Sequence, residues 1–189
     1  GEIIVALSGI AELPQIEKAY HAVIDTLKAR VSQNKKNEAA QIFKWLGEHP
    51  ILPGFMELDL DKIIGIQYPD ELARPGIYEH TYYHKLPIAF RVANLQPDDV
   101  FCDLGCGTGR PLLYASIMTQ AKRCIGIELS PIIISNTRSV FQNLGLGHVE
   151  LINADVLKAD LGEGTLFYLN NPFPCDVLEG VLEKLGKIG

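Results

Sequence analysis

Three features are scarce in this 189-residue sequence: paired cysteines, an excess of basic residues and long apolar runs. It has four cysteines, Cys102, Cys106, Cys124 and Cys175, and none of them has C-x-x-C spacing. The sequence therefore suggests neither a zinc site nor a disulfide framework. We expect them to be small apolar core residues in a reducing compartment. The net charge of −6 makes nucleic acid an unfavoured partner, because a phosphate backbone is bound by a basic surface.

The apolar residues are spread in short segments. No run approaches the roughly 18 residues of a membrane-spanning helix, and residues 1–10 lack the length and basic lead of a signal peptide. A hydrophobic content of 47% suits one globular domain with a small satellite. We therefore expect a soluble, cytoplasmic protein with no membrane partner and no metal site.

The pattern changes near residue 98, and helical spacing dominates before it. One apolar stripe with steps of three and four residues predicts a helix over residues 13–31, and a second, shorter helix precedes Pro50. Residues 66–83 are rich in proline and tyrosine, and a helix is predicted from His84 to Gln96, ended by Pro97. Residues 1–83 are thus predicted to form a helical cap and a covering loop.

Short apolar strands alternate with helices after residue 98, which predicts an α/β fold with a parallel, Rossmann-like sheet over residues 84–189. Four strands are expected, at Val100–Leu104, Cys124–Glu128, His148–Ile152 and Leu166–Asn170. The helices between and after them are expected at Arg110–Gln120, Pro131–Leu144 and Asp176–Leu185. Open sheets of this type bind ligands at the carboxyl ends of their strands.

A glycine-rich segment, Asp103-Leu104-Gly105-Cys106-Gly107-Thr108-Gly109, follows the first strand. Gly105 and Gly107 would let the backbone turn close to a ligand, and Gly109 would let helix and strand approach. A dinucleotide fingerprint would need its third glycine at position 110, where the chain has arginine. An acid followed by G-x-G-x-G suits a cofactor without a pyrophosphate, such as S-adenosylmethionine (SAM), whose cationic methionine end Asp103 could help to hold.

Three further groups follow the later strands. Glu128 ends the second strand, 25 residues after Asp103, where a carboxylate can accept bonds from ribose hydroxyls; the alternative is a solvated strand end. Asp155 could accept from an adenine amino group while Val156 packs on the ring, although Asp is also common in turns and caps. The segment Asn170-Asn171-Pro172-Phe173 faces the expected position of the transferable methyl, or is simply a turn.

These residues resemble class I SAM-dependent methyltransferases over residues 98–185. A narrower resemblance, over residues 78–185, is to the non-SET histone lysine methyltransferases named for disruption of telomeric silencing. It rests on Tyr78-Glu79-His80-Thr81, with Thr81 22 residues before Asp103, and on Asn170-Asn171. The resemblance implies that the loop with Tyr78 and Thr81 covers the methionine part of SAM. It further implies that Glu128 holds the ribose, Asp155 the adenine, and that Asn170 contacts the cofactor near the methyl donor.

The segment Asn170-Asn171-Pro172-Phe173 also resembles the Asp/Asn-Pro-Pro-aromatic motif of enzymes that methylate exocyclic amino groups, with Asn171 at the second position. Both likenesses imply methyl transfer to an amine nitrogen, oriented by Asn170 and the Asn171-Pro172 carbonyls, with Phe173 as a pocket wall. Tyr78, Tyr82 and Tyr83 are available to line a lysine channel. A protein lysine is the first expectation; a small-molecule or nucleobase amine, or a SAM-binding module without catalysis, are the alternatives.

Overall fold

The structure, a computed structural model, describes residues 13–48, 65–66 and 81–188. Its helices are α1 (Leu13–Ser32), α2 (Lys36–Glu48), α3 (Leu86–Ala93), α4 (Arg110–Met118), α5 (Pro131–Asn143) and α6 (Cys175–Leu185). A 3₁₀ helix at Tyr83–Lys85 leads into α3. The strands are β1 (Val100–Leu104), β2 (Arg123–Glu128), β3 (Glu150–Asn153) and β4 (Leu166–Tyr168).

The described strands form a parallel sheet in the order β3-β2-β1-β4. Helix α4 connects β1 to β2 and α5 connects β2 to β3, whereas the chain must cross β1 and β2 to reach β4. The central strand β1 is buried at all five positions, as expected for a strand covered on both faces. The predicted α/β class with a Rossmann-like sheet and N-terminal helices is confirmed.

Two hydrophobic cores cover the two faces of the sheet. The first joins Phe101 to α4, α5 and residues of the N-terminal helices, including Val23 and Phe43. The second joins Cys102 and Leu104 to α6, through Val181. Alternate residues of β1 therefore enter opposite cores, as the period of two in a strand requires. This arrangement leaves the carboxyl ends of β1, β2 and β4 together at one edge.

The helix before the sheet ends earlier than the sequence predicts. Asn94, three residues before Pro97, adopts the left-handed conformation at φ 52°, and its N–H donates to the Phe90 carbonyl, so that α3 ends at Ala93. Asparagine tolerates this backbone conformation better than most residues do. The stop is therefore made by Asn94, and the prediction that Pro97 ends the helix is wrong.

The last predicted strand is also shorter than expected. It ends at Tyr168 because the backbone turns after it, with Asn171 at φ 48°. The cysteines divide as well: Cys102, Cys106 and Cys124 are buried, as predicted, whereas Cys175 is exposed at the start of α6 and fills no core. Among the described residues, no helix has both the length and the apolar character to span a membrane.

Candidate cofactor and active site

A cavity of about 470 Å³ opens at the carboxyl ends of β1, β2 and β4, within the usual range for small-ligand sites. The described residues around it come from the ends of these strands, the glycine loop, the starts of α4 and α5, the segment after β4, and Thr81 before the 3₁₀ helix. Its lining consists of Thr81, Asp103, Gly105, Cys106, Thr108, Arg110, Pro111, Glu128, Leu129, Ser130, Pro131, Ile133, Tyr168, Asn170, Asn171 and Pro172.

The glycine loop has the conformation that its sequence predicts. Gly105, Gly107 and Gly109 have φ values of +77°, +53° and +77°, in the left-handed region that favours glycine. The N–H groups of Gly105 and Cys106 both donate to the Ile127 carbonyl, each at 2.9 Å. These bonds bind the loop to β2 and bend it sharply out of β1.

The space around the glycines differs from the prediction at two positions. A Cβ atom on Gly105 would lie 2.4 Å from Pro172 Cβ, so this glycine admits the segment after β4 as its closest neighbour. A Cβ atom on Gly109 would lie 3.0 Å from both Thr137 Cγ2 and Phe141 Cζ. Gly109 therefore allows close packing against α5, and not the approach of a helix to a strand that the sequence suggested.

The Glu128 side chain points toward the glycine loop. Its Oε2 accepts a hydrogen bond from the Gly107 N–H at 3.0 Å, and its Oε1 accepts one from the Ser130 N–H at 2.8 Å. The carboxylate therefore joins the glycine loop to the start of α5. Each oxygen keeps a further lone pair, so the group can also accept from a ligand hydroxyl.

Asp103 is the most unusual group of the cavity. It is 3% exposed, and its Oδ2 has no hydrogen-bond partner within the described part of the chain. Burial, and secondly the negative charge of Glu128, raise the pKa of Asp103 to about 8. A buried carboxyl oxygen without a donor is costly. The cavity thus offers an acceptor suited to the ammonium or sulfonium end of SAM, and the residues present fit this cofactor.

Thr81 lies at the cavity, as predicted, and two residues that sequence reasoning missed hold it. Its Oγ1 is 3.0 Å from the Tyr168 hydroxyl, and its carbonyl accepts from Arg110 Nη1 at 3.1 Å. The sequence pattern identifies Tyr168 only as a strand residue, although a position near the end of a predicted strand is a signal for the crevice. Tyr78, its partner in the predicted loop, lies outside the described residues.

The segment after β4 reaches the cavity in part. Asn170, Asn171 and Pro172 line it, whereas Phe173 is absent from the described lining. The Phe173 ring instead packs on the second core and behind Gly105. The expected pocket wall at Phe173 is therefore not found.

The predicted adenine contacts do not reach the cavity. Asp155 accepts from the Leu157 N–H at 3.0 Å, which is the turn role given as its alternative. Val156 is 5% exposed and belongs to the second core. Leu129, which sequence reasoning missed, is 70% exposed and lines the cavity directly after Glu128. The signal available in the sequence was an apolar residue directly after the predicted ribose ligand, at the end of a strand.

The expected tyrosine channel is also not assembled from Tyr82 and Tyr83. Tyr83 is 7% exposed, with its ring in a T-shaped contact with Phe43 and the Arg110 guanidinium 4.9 Å from its centroid. Tyr82 is exposed and stands under the Lys85 ammonium, 5.0 Å from its centroid. The described aromatic residue at the cavity is Tyr168.

The sequence profile of a family described as "Methyltransferase domain" matches residues 101–171, which contain the glycine loop, Glu128 and the end of β4. This part of the chain is a class I, SAM-dependent methyltransferase domain. S-adenosylmethionine is its cofactor, in agreement with the acceptor that Asp103 presents.

Two relatives of the methyltransferase domain differ in substrate. A protein-lysine N-methyltransferase of Saccharolobus islandicus (strain REY15A) is 28% identical over 102 residues, which cover 52% of this chain and 62% of the relative. A probable ribosomal RNA small subunit methyltransferase A of Methanosarcina barkeri (strain Fusaro / DSM 804) is 31% identical over 81 residues, which cover 43% of this chain and 27% of the relative. The chain thus spans less than two thirds of the length of either relative.

The fold of the methyltransferase domain has a counterpart among crystal structures. A dimethyladenosine transferase from Plasmodium falciparum superposes with a TM-score of 0.50 and 20% identity, covering 57% of this chain and 38% of that chain. At this identity the likeness concerns the fold alone.

Proposed function

We propose that this protein transfers the methyl group of SAM to an amine nitrogen, and that the amine is a protein lysine. The observation that carries the proposal is the meeting of Asp103 and Asn170 in one cavity, whose lining therefore combines an acceptor oxygen without a donor partner with an amide. A lysine ammonium would first lose a proton to solvent. The neutral amine would then take the methyl group from the positively charged sulfur of SAM, with an N–C bond forming as the S–C bond breaks and S-adenosylhomocysteine leaving.

The cofactor end of the cavity is assigned to residues whose geometry suits it. Asp103 Oδ2 accepts from the charged methionine end, and the remaining Glu128 lone pairs accept from the ribose hydroxyls. Thr81 covers the methionine part, and Gly105, Cys106 and Gly107 form the bend beneath it. The exposed Leu129 packs on the adenine in place of Val156.

The substrate end is assigned to the segment after β4. Asn170, Asn171 and Pro172 line the cavity, and their amide and carbonyl oxygens accept hydrogen bonds from a neutral amine and orient its lone pair. Tyr168 stands beside them with its ring half-buried. Such surroundings lower the pKa of an incoming lysine ammonium by desolvation, which favours the neutral amine.

The charges around the cavity favour protein over nucleic acid. Arg110 is the basic residue of the described lining, and it is 1% exposed with a guanidinium N–H bonded to the Thr81 carbonyl. Its guanidinium is therefore buried and bonded within the protein, and it offers little surface to a phosphate. Binding to a nucleic acid draws on several phosphate contacts, and the net charge of −6 opposes them. The identity with the S. islandicus protein-lysine enzyme supports the same substrate.

The test is methyl transfer from SAM labelled in its methyl group. The full chain is incubated separately with a mixture of basic proteins, with total ribosomal RNA and with low-molecular-weight amines. We expect label in the protein fraction, released as methyl-lysine on acid hydrolysis. Label in RNA alone would instead support the nucleobase alternative suggested by the M. barkeri relative. Binding of SAM without transfer to any fraction would leave a binding module.

The variant Asn170→Ala tests the substrate end separately. We expect a loss of roughly 100-fold in turnover, because an orienting amide is removed, with SAM affinity changed only a few-fold. The matched control is Asp176→Asn, on the exposed first turn of α6, which should behave like the wild type. Unaltered turnover in Asn170→Ala with normal SAM binding would contradict the assigned role.

A further inference from the structure

Three residues that are distant in the sequence meet at the edge of the cavity. Thr81 precedes the 3₁₀ helix, Arg110 begins α4 directly after the glycine loop, and Tyr168 ends β4. The Tyr168 hydroxyl bonds to the Thr81 side chain at 3.0 Å, and Arg110 Nη1 donates to the Thr81 backbone carbonyl at 3.1 Å. Thr81 is therefore held through its side chain and its main chain at once.

The Arg110 bond to Thr81 is buried, and the Tyr168 bond to Thr81 is partly buried. Thr81 is 8% exposed and Arg110 is 1% exposed. The Arg110 guanidinium also stacks on the ring of Tyr83, two residues after Thr81, at 4.9 Å from the centroid. Hydrogen bonds and cation–π contacts are stronger when they are desolvated, so these contacts restrict the position of residues 81–83 more than surface contacts would.

Arg110 and Tyr168 connect Thr81 to different parts of the site. Arg110 is joined to the glycine loop by the chain itself. Tyr168 is the Cα partner of Asp103 across the parallel pair β1–β4, and it lies two residues before Asn170. Thr81 is consequently linked both to the glycine loop, through Arg110, and to β4, which leads into the segment with Asn170, through Tyr168.

We propose that Tyr168 and Arg110 are positioning residues: by holding Thr81 at the cavity they set the affinity for SAM and the turnover of methyl transfer. The turnover half of this statement rests on the proposed function, whereas the affinity half rests on the cofactor alone. Tyr168 acts through its hydroxyl, and Arg110 acts through its donation to the Thr81 carbonyl. Neither residue needs to touch the reacting atoms.

The first experiment uses Tyr168→Phe, which removes one hydroxyl and keeps the ring. We expect the calorimetric dissociation constant for SAM to rise about five- to tenfold, as for the loss of one hydrogen bond. Amide hydrogen exchange over residues 81–86 should accelerate. The matched control is Tyr114→Phe in α4, a half-buried tyrosine whose ring packs on Phe90 and lies outside the described lining, and it should match the wild type in both measurements.

A double-mutant cycle distinguishes positioning from general loosening. Thr81→Val should weaken SAM binding to a similar extent, and Tyr168→Phe combined with Thr81→Val should bind no more weakly than the weaker single variant, because both lose the same bond. Multiplying effects would overturn the proposal. It would also be overturned if Tyr168→Phe lowered the melting temperature without changing SAM affinity, since that marks a purely structural role.

Arg110 is tested by rescue. Arg110→Met should weaken SAM binding at least as much as Tyr168→Phe, and Arg110→Lys should recover part of the affinity because an ammonium can still donate to the Thr81 carbonyl. If Arg110→Met fails to fold, the Tyr168 series still decides the proposal. Absence of methyl transfer by the wild type, together with the expected affinity series, would overturn the proposed substrate chemistry and leave the positioning of Thr81 supported.

Discussion

At the scale of single residues, two carboxylates on neighbouring strands have opposite surroundings. Glu128 is satisfied by the N–H groups of Gly107 and Ser130, whereas Asp103 is buried with one oxygen lacking a partner among the described residues. Glu128 organises the loop, and Asp103 is proposed to accept from the cationic end of the cofactor. This difference depends on depth, since Asp103 is 3% exposed whereas Glu128 is only partly buried.

The raised pKa of Asp103 predicts a pH dependence of folding. Its ordinary value is 3.8 and its folded value is about 8, so the native state binds the extra proton between these values. Stability from this group is complete below pH 4 and is lost as pH rises toward 8, by at most about 1.4 kcal/mol per pH unit. Urea unfolding at pH 5 to 9 should show the wild type falling relative to Asp103→Asn, then levelling above pH 8.

The exposed Asp160→Asn is the control for that series, because Asp160 only caps a turn through its bond to the Gly162 N–H. Its difference from the wild type should stay flat over pH 5 to 9. An equally flat difference for Asp103→Asn would show that Asp103 is ionised in the folded protein.

At the scale of elements, the site depends on a loop in which Gly105 and Gly109 have no room for a side chain. Gly105, Gly107 and Gly109 all occupy the left-handed region. The segment after β4 and helix α5 close on Gly105 and Gly109 respectively. The bend, the start of α4 and the segment after β4 are therefore one packed unit, and a side chain added at Gly105 or Gly109 would move more than the loop itself.

Gly105→Ala tests this unit. The added Cβ would meet Pro172 Cβ at 2.4 Å and would adopt an unfavourable φ, so we expect a loss of about 1 to 3 kcal/mol or more in the free energy of unfolding. SAM affinity should fall with it. The matched control, Gly147→Ala, meets only Gln142 Cγ at 4.0 Å and should change stability by less than about 0.5 kcal/mol. Equal stability of the two variants would contradict the packing described here.

At the scale of the whole molecule, the N-terminal helices share a core with the sheet. Phe43 of α2 is 7% exposed and sets its ring against Tyr83 and Tyr114, at centroid distances of 5.9 Å and 6.1 Å. None of the described cavity residues comes from α1 or α2. These helices support the site from the face of the sheet. The predicted domain boundary near residue 83 stays a prediction.

Phe43→Ala should therefore destabilise the methyltransferase domain as a whole. We expect a loss of about 3 to 5 kcal/mol, as for a buried phenylalanine, in a single thermal transition that also abolishes SAM binding. Val92→Ala, 79% exposed on α3, should change stability by less than about 0.5 kcal/mol. Two separate transitions in Phe43→Ala, with SAM binding retained in the second, would show that α1 and α2 fold apart from the sheet.

The sequence by itself determined the local elements and the bend of the site. Apolar periodicity located α1 and β1 almost to the residue, and the spacing of Gly105, Gly107 and Gly109 predicted the turn after β1. These features depend on neighbours within a few positions, which is why a pattern reveals them. The ends of α3 and β4 were harder to predict. In both places an asparagine in the left-handed conformation, Asn94 or Asn171, turns the chain, and a nearby proline is the more obvious stop in the sequence.

Only the tertiary structure decided which side chains meet. Thr81 and Tyr168 are 87 positions apart and Thr81 and Arg110 are 29 apart, so no local pattern could pair them. Local patterns also could not show that Leu129 lines the cavity whereas Val156 is buried in the second core. The burial of each depends on which face of the sheet a distant segment covers. Side-chain contacts of this kind are fixed when the two cores pack, and their energies come from burial that the chain acquires only in the folded state.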